Sequence, residues 1–104
     1  MSGPDLTVGR EVVDEMVRLA AYEVPGVARV ARGGRRWRAV LAGPPVVTQL
    51  TAGGVRVRLW IVARPGQPLV ELAGQVRTAV SAAVERLLGQ RLESITVTVD
   101  GVGG

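Results

Sequence analysis

Two segments of the chain have apolar residues at helical spacing. The first covers residues 8 to 24 and ends at Pro25-Gly26. The second covers residues 68 to 89, with a proline at its start and a glycine at its end. For the first helix we assign the buried stripe to Val8, Val12, Met16, Leu19 and Ala20, with Val13 and Val24 at one edge. For the second, the stripe comprises Leu69, Leu72, Ala73, Val76, Val80, Ala83, Val84 and Leu87.

Four further segments are typical of β-strands. Residues 55 to 62 alternate strictly between the two faces of a strand, with Val55, Val57, Leu59 and Ile61 on one face and Arg56, Arg58 and Trp60 on the other. Gly53-Gly54 favours a hairpin that joins this strand to residues 46–51. Residues 27–32 and 93–100 complete the set, and residues 101–104 are expected to fray.

The predicted order of elements is therefore α-β-β-β-α-β, and the predicted class is α+β. Each helix has one apolar face to bury, so we expect a small mixed sheet of three to four strands with two helices packed on one face. Strand 55–62, helix 68–89 and strand 93–100 form a βαβ unit, whose two strands are expected to run parallel. The length of 104 residues fits a single domain (1–104), with an ordered core over about 6–102.

The composition removes most kinds of active site. The chain contains neither His nor Cys, which excludes Ser-His and Cys-based nucleophiles as well as metal sites that use these ligands. Its carboxylates do not converge, and Glu11 and Glu15 are expected to form surface ion pairs with Arg18. We therefore predict no catalytic, cofactor-binding or metal-ligating residues and no cofactor, and we expect that the protein is not an enzyme and takes no small-molecule substrate. Since Phe is absent, Val, Leu, Ala and Ile must fill the core.

The charge is positive and carried entirely by arginine. Thirteen basic residues against nine acidic ones give a net charge of +4. A positive field attracts phosphates and anionic lipid headgroups, but the absence of Lys also fits the coding bias of a GC-rich genome. The sequence shows neither an apolar segment of membrane-spanning length nor the layout of a signal peptide, so we expect a cytoplasmic protein, free or peripherally attached to the membrane.

The strongest candidates for interaction lie on the polar face of strand 55–62. Arg56, Arg58 and Trp60 have the composition of a protein-interface hot spot, because Trp and Arg bury a large area on binding. The same strip could instead stack nucleic-acid bases, although modules that do so usually carry two or three aromatic residues. A third interpretation is a solvated sheet face with Trp60 covered by arginine stems.

A second candidate cluster is the segment Arg35-Arg36-Trp37-Arg38. A basic loop with an indole could grip phosphates, stack on a base or sit at a lipid interface. The alternative is a solvated loop whose Trp37 ring packs against the sheet.

The order of elements and several short motifs resemble a known family. In the first half these are Leu6-Thr7-Val8, Val12, Ala20 and Val24-Pro25-Gly26-Val27. In the second half they are Val57-Arg58-Leu59-Trp60-Ile61-Val62, Pro68, Leu72-Ala73, Val76, Val80, Val84, Leu87-Leu88-Gly89 and Ile95-Thr96-Val97-Thr98-Val99-Asp100-Gly101-Val102. Over roughly residues 6 to 102 the chain is similar to the alkaline shock protein / envelope stress response family. It departs from that family at Arg64-Pro65-Gly66, where a Tyr-Gly pair is usual, and in the region 33–54.

The resemblance implies a function based on assembly. It suggests a non-enzymatic, cytoplasmic, general-stress protein that forms homo-oligomers and, in some members, gathers at the membrane through an integral-membrane protein partner. It brings no catalytic residues. The alternative, motivated by the charge, the Arg-rich loop and Trp60, is a small basic domain that binds RNA or DNA.

Overall fold

The computed structural model describes residues 9–33 and 43–103. In that part of the chain the elements are α1 (Arg10–Tyr22), β1 (Val27–Val30), β2 (Val46–Thr51), β3 (Gly54–Ala63), α2 (Leu69–Ala83) and β4 (Leu92–Val102). The predicted order and the α+β class are therefore confirmed. None of the helices so described is long and apolar enough to cross a lipid bilayer.

β3 is the central strand of a mixed four-stranded sheet. β1 and β2 both pair with one side of β3, antiparallel to it and end to end, while β4 runs parallel along the other side. At Trp60 the pairing partner on this side of β3 changes from the β1 segment to the β2 segment. The carbonyl of Trp60 accepts the N–H of Ala31 (3.1 Å), and its own N–H donates to the carbonyl of Pro45 (2.9 Å). The chain thus leaves and re-enters the sheet at a single residue of β3.

Both helices pack on one face of this sheet, as predicted. The core joins Val17 and Ala21 of α1 and Leu72, Val76 and Val80 of α2 to the odd-numbered residues of β3. Val55, Val57, Leu59 and Ile61 are at most 1% exposed. The buried hydrophobic core is built from Val, Leu, Ile and Ala, which agrees with the composition, and valine is its most frequent residue. Aliphatic side chains with stiff χ1 angles therefore fill the space that aromatic rings usually occupy.

The rotation of α1 about its axis differs from the prediction. Val13, Val17 and Ala21 face the sheet, whereas Val12 and Leu19 are 54% and 45% exposed. The prediction failed because α1 carries two adjacent apolar rows, and helical spacing alone cannot say which one is buried. In the structure Asp14 accepts a hydrogen bond from the buried hydroxyl of Thr48 in β2 (2.5 Å), which fixes the helix in the observed orientation.

The exposed side of α1 carries an ion pair of the expected kind. Arg18 donates a hydrogen bond to Glu15, one turn earlier, with an Nε–Oε2 distance of 3.0 Å. This hydrogen bond holds the pKa of the Glu15 carboxyl below its usual value.

α2 follows its predicted stripe along most of its length. Leu72, Val76, Val80, Ala83 and Val84 are buried, and Gly89 ends the helix with φ of 63°. The prediction was wrong at the two ends of the stripe, where Leu69 and Leu87 are 41% and 57% exposed. Residues Val84–Leu88 form a π-helical turn, whose wider repeat rotates Leu87 away from the core.

β4 is longer than predicted. Gly101 and Val102 belong to the strand rather than to a frayed end. The N–H of Gly103 donates to the carbonyl of Ala63 (2.9 Å), so pairing with β3 continues to the last described residue.

Candidate interaction surface

The face of the sheet opposite the helices carries the predicted interaction residues of β3. We call it the open face; its β3 positions are Arg56, Arg58, Trp60 and Val62. Arg56 and Arg58 are exposed, and Trp60 is half-buried. The strict alternation of β3 causes this arrangement, because side chains of successive residues point to opposite faces. The parallel neighbours of Arg56, Arg58 and Trp60 in β4 are Ser94, Thr96 and Thr98, so small polar residues flank the arginines.

Arg56 is engaged within the protein. Its guanidinium forms an ion pair with Glu93, at the start of β4. The Glu93 carboxylate also accepts a hydrogen bond from the hydroxyl of Thr51 (3.3 Å). Arg56 therefore contributes little free positive charge to the open face. The sequence does not indicate this pair, because Glu93 comes beside Arg56 only through the register of the parallel β3–β4 pairing, which no local pattern specifies.

The Trp60 ring lies against two guanidinium groups. That of Arg32 is 3.4 Å from the ring centroid, and that of Arg58 is 5.2 Å from it. Both distances are within the range of cation–π attraction, which is strongest for Trp. Arg32 also approaches the carbonyl of Pro44, with an Nε–O distance of 3.4 Å. We call Arg32, Arg58 and Trp60 the Trp60 cluster. Arg32 was predicted to lie at the end of a strand, and no sequence pattern places it beside Trp60.

The chain crosses the open face just after Arg32. Ala31 still bonds to Trp60 in β3, but the N–H of Gly33 donates to the Asp100 carboxylate of β4 (2.8 Å). Gly33 lies so close to β4 that a Cβ at this position would overlap the backbone oxygen of Asp100. A glycine is therefore required for this crossing. Residues 31 to 33 cover one end of β3 and leave Arg58 accessible beside Trp60.

The other predicted cluster, Arg35, Arg36, Trp37 and Arg38, lies outside the described residues. The described chain ends at Gly33 before it and resumes at Gly43 after it, and both of these points lie near the Trp60 cluster. Gly33 contacts β4 before the segment, and the Pro44 carbonyl meets Arg32 after it. The described residues that flank the Arg-rich segment thus lie next to Trp60, which the sequence had not indicated.

The open face offers an aromatic ring, guanidinium donors and hydroxyl groups. Over residues 9–33 and 43–103, no group of three or more Asp, Glu, His or Cys side chains is placed to hold a metal ion. The arrangement is suited to non-covalent recognition of a flat or anionic surface.

The solved structures that are similar to the chain in fold include three forms of MamM CTD. A copper form of MamM CTD has a TM-score of 0.64 at 20% identity and covers 88% of this chain and 85% of its own. A MamM CTD variant has a TM-score of 0.65 at 20% identity, with 93% and 100% covered. A manganese form of another variant has a TM-score of 0.57 at 26% identity, with 89% and 99% covered. These likenesses support the α+β architecture.

Sequence comparison identifies the family. No curated protein matches the chain. A family model does match, over residues 3–103, and its description is the alkaline shock protein 23 family, with a cell envelope-related function; this is the alkaline shock protein family that the sequence resembles. Because this match covers nearly the whole length, and because the fold agrees with the expectation drawn from the resemblance, the chain belongs to the alkaline shock protein family.

Proposed function

We propose that the protein is a non-catalytic assembly module of the cell envelope, which acts through protein–protein contacts on the open face of its sheet. In this proposal it is cytoplasmic, self-associates, and reaches the inner face of the membrane through an integral-membrane protein partner. The cell envelope-related function of the family supports the setting. The open face supports the mode of action.

The observation that carries the proposal is the Trp60 cluster. Trp60 stands half-buried on a sheet face that neither helix covers, with Arg32 and Arg58 against its ring. Trp and Arg are among the residues most enriched at the positions that contribute most to the affinity of an interface. Contacts with the guanidinium groups also restrict the ring before any partner arrives, which lowers the entropic cost of binding.

The charge of the cluster indicates the chemistry of its partner surface. Arg56 is neutralised by Glu93, but within the described part of the chain Arg58 forms no ion pair. A contacting surface therefore gains most if it brings carboxylates to Arg58 and an apolar or aromatic group to the Trp60 ring.

The first test is the variant Trp60→Ala, with Tyr22→Ala as its matched control. Tyr22 is also an exposed aromatic residue (51%), but it lies on α1, in the opposite layer. Truncating a central Trp at an interface typically costs at least about 2 kcal/mol, so we expect self-association to weaken about 30-fold or more in Trp60→Ala and to be unchanged in Tyr22→Ala. Light scattering across a concentration series measures both. Identical mass curves for Trp60→Ala and the unmodified protein would contradict the proposal.

A second candidate function is supported by the same cluster. Arg58 beside an aromatic ring, next to the attachment points of the Arg-rich segment, is an arrangement that can hold a phosphate backbone and stack a base. We then expect binding to labelled single-stranded RNA or DNA to weaken steeply as salt rises, and to fall in Arg58→Ala and Arg35→Ala. Arg77→Ala, an exposed arginine on α2, is the control. Absence of binding even at low salt would exclude this candidate.

A further inference from the structure

β4 is a long edge strand. It spans 11 residues and pairs with β3 along one side. On its other side, no backbone group from residues 9–33 or 43–103 pairs with it. Unpaired edges of this length are rare in monomeric proteins, because they invite pairing with another strand.

The direction of each backbone group in β4 follows from the bonds of β3. The N–H of Val55 donates to the Arg91 carbonyl (2.8 Å), whereas Trp60 bonds toward β1 and β2. Since the direction of the backbone groups alternates along a strand, the N–H and C=O groups of the odd-numbered residues of β3 point toward β4. In the parallel register these residues bond to Thr96 and Thr98 of β4. The N–H and C=O groups of Ile95, Val97 and Val99 therefore point outward, away from the sheet.

The sequence in the middle of this edge lacks the residues that usually protect one. Residues 94 to 99 are Ser-Ile-Thr-Val-Thr-Val, with no charge, proline or glycine. The irregularities in the β3–β4 register lie at the two ends, between Val55 and Arg56 and between Ile61 and Ala63. Edges that remain unpaired are normally blunted by charges, prolines or bulges in their centre. The centre of β4 is instead regular, uncharged and rich in β-branched residues, which favour pairing.

We propose that β4 pairs with β4 of a second copy of this chain, antiparallel and centred on Val97, to form one continuous sheet. The inference rests on the self-association in the proposed function, but it uses a different surface. The register is determined by the outward groups. Only centring on Val97 lets Ile95, Val97 and Val99 all exchange both bonds, with Ile95 opposite Val99 of the partner subunit. If the pairing is centred on Thr96 or Thr98 instead, two of these hydrogen bonds are lost.

The side chains are self-complementary in this register. On the helix side, Ile95 meets Val99 of the partner subunit and Val97 meets its own copy. On the open face, Thr96 meets Thr98 of the partner subunit, a cross-strand pair that stabilises sheets. Ile95, Val97 and Val99 are only partly buried in the single chain, although they pack against the core. A groove between α2 and β4, lined by residues that include Ser81, Ala82, Leu92 and Ile95, would also be covered. A two-fold axis at Val97 closes the dimer.

The register makes a charge-exchange test possible. In the double variant Thr96→Lys/Thr98→Lys, each lysine faces a lysine of the second copy, and we expect the dimer to weaken at least tenfold. In Thr96→Lys/Thr98→Glu, each lysine faces a glutamate, and we expect the dimer to be restored. The two variants change the same positions, so they control for each other, and far-UV circular dichroism checks folding. Sedimentation across a concentration series measures the association. Equal association of the two variants overturns the proposal.

Hydrogen exchange separates this edge from the Trp60 cluster, which lies close to Thr98. In the assembled protein we expect slow exchange at the amides of Ile95, Val97 and Val99, and fast exchange there after dilution. The amides of Thr96 and Thr98 bond to β3 and should be protected in both states. Fast exchange at the outward amides of an assembled protein overturns edge pairing but leaves the proposed function standing. Slow exchange at these amides, together with unchanged self-association of Trp60→Ala, supports edge pairing and excludes the Trp60 cluster as the surface of self-association. A protein that stays monomeric overturns both.

Discussion

Gly33 shows how a single residue holds the chain against the open face. A Cβ at this position would overlap the backbone oxygen of Asp100, so Gly33→Ala must push residues 31–33 away from β4. We expect the free energy of unfolding to fall by about 1–3 kcal/mol. The control is Gly74→Ala, because Gly74 is exposed inside α2 and a Cβ there meets no atom within 4 Å. That variant should gain about 0.5–1 kcal/mol from helix propensity. Urea unfolding measures both, and effects of the same sign would contradict this account.

The residues of the candidate surface were only partly predictable. Arg56, Arg58 and Trp60 could be placed on one face because strand alternation is a local property. Arg32 and Glu93 could not be added to them, since each reaches β3 through tertiary contact and not through a sequence pattern. The candidate surface therefore differs from the predicted one in its charge as well as its membership. Arg56 is neutralised by Glu93, and Arg32 lies beside the Trp60 ring together with Arg58.

At the scale of elements, the orientation of α1 can be tested by truncating one residue from each apolar row. Val17 is 1% exposed and Leu19 is 45% exposed. Val17→Ala removes buried methyl groups and leaves a cavity, so we expect a loss of about 2 kcal/mol in unfolding free energy. Leu19→Ala removes more atoms, but largely from solvent, and should cost less than about 1 kcal/mol. Thermal unfolding by circular dichroism compares the two variants. A larger loss for Leu19→Ala would support the orientation predicted from the sequence.

The elements themselves were largely predictable, for a physical reason. The two helices, β3 and β4 each have one dominant period in their apolar residues, and Pro and Gly mark most of the boundaries. The orientation of α1 was not, because two rows of similar hydrophobicity lie side by side and a hydrogen bond from Thr48 of β2 fixes the choice. The other apolar row of α1, with Val12 and Leu19, stays exposed to solvent.

At the scale of the molecule, the sequence predicted the βαβ unit and its parallel strands but not the outer edges of the sheet. Whether a strand is central or at the edge depends on which strands pair, and pairing is non-local. β3 has the clearest strand pattern in the sequence, and it is the central strand, with paired strands on both sides. β4 alternates almost as regularly, yet within residues 9–33 and 43–103 no strand pairs with its outer side. Composition alone did not separate the two positions.

The two bonds at the Trp60 backbone have a consequence for how this chain can vary. Ala31 and Pro45 meet at one residue, so the stretch between them begins and ends at the same point of the sheet. Lengthening such a stretch changes mainly its closure entropy, and a doubling costs only about 0.6 kcal/mol. Apart from Arg32, Gly33 and Pro44, which make the contacts described above, the sheet therefore sets no narrow limit on the length or composition of that stretch. Natural variation or deliberate grafting can exchange the residues between Gly33 and Pro44 for another segment, while the sheet and the Trp60 cluster stay the same.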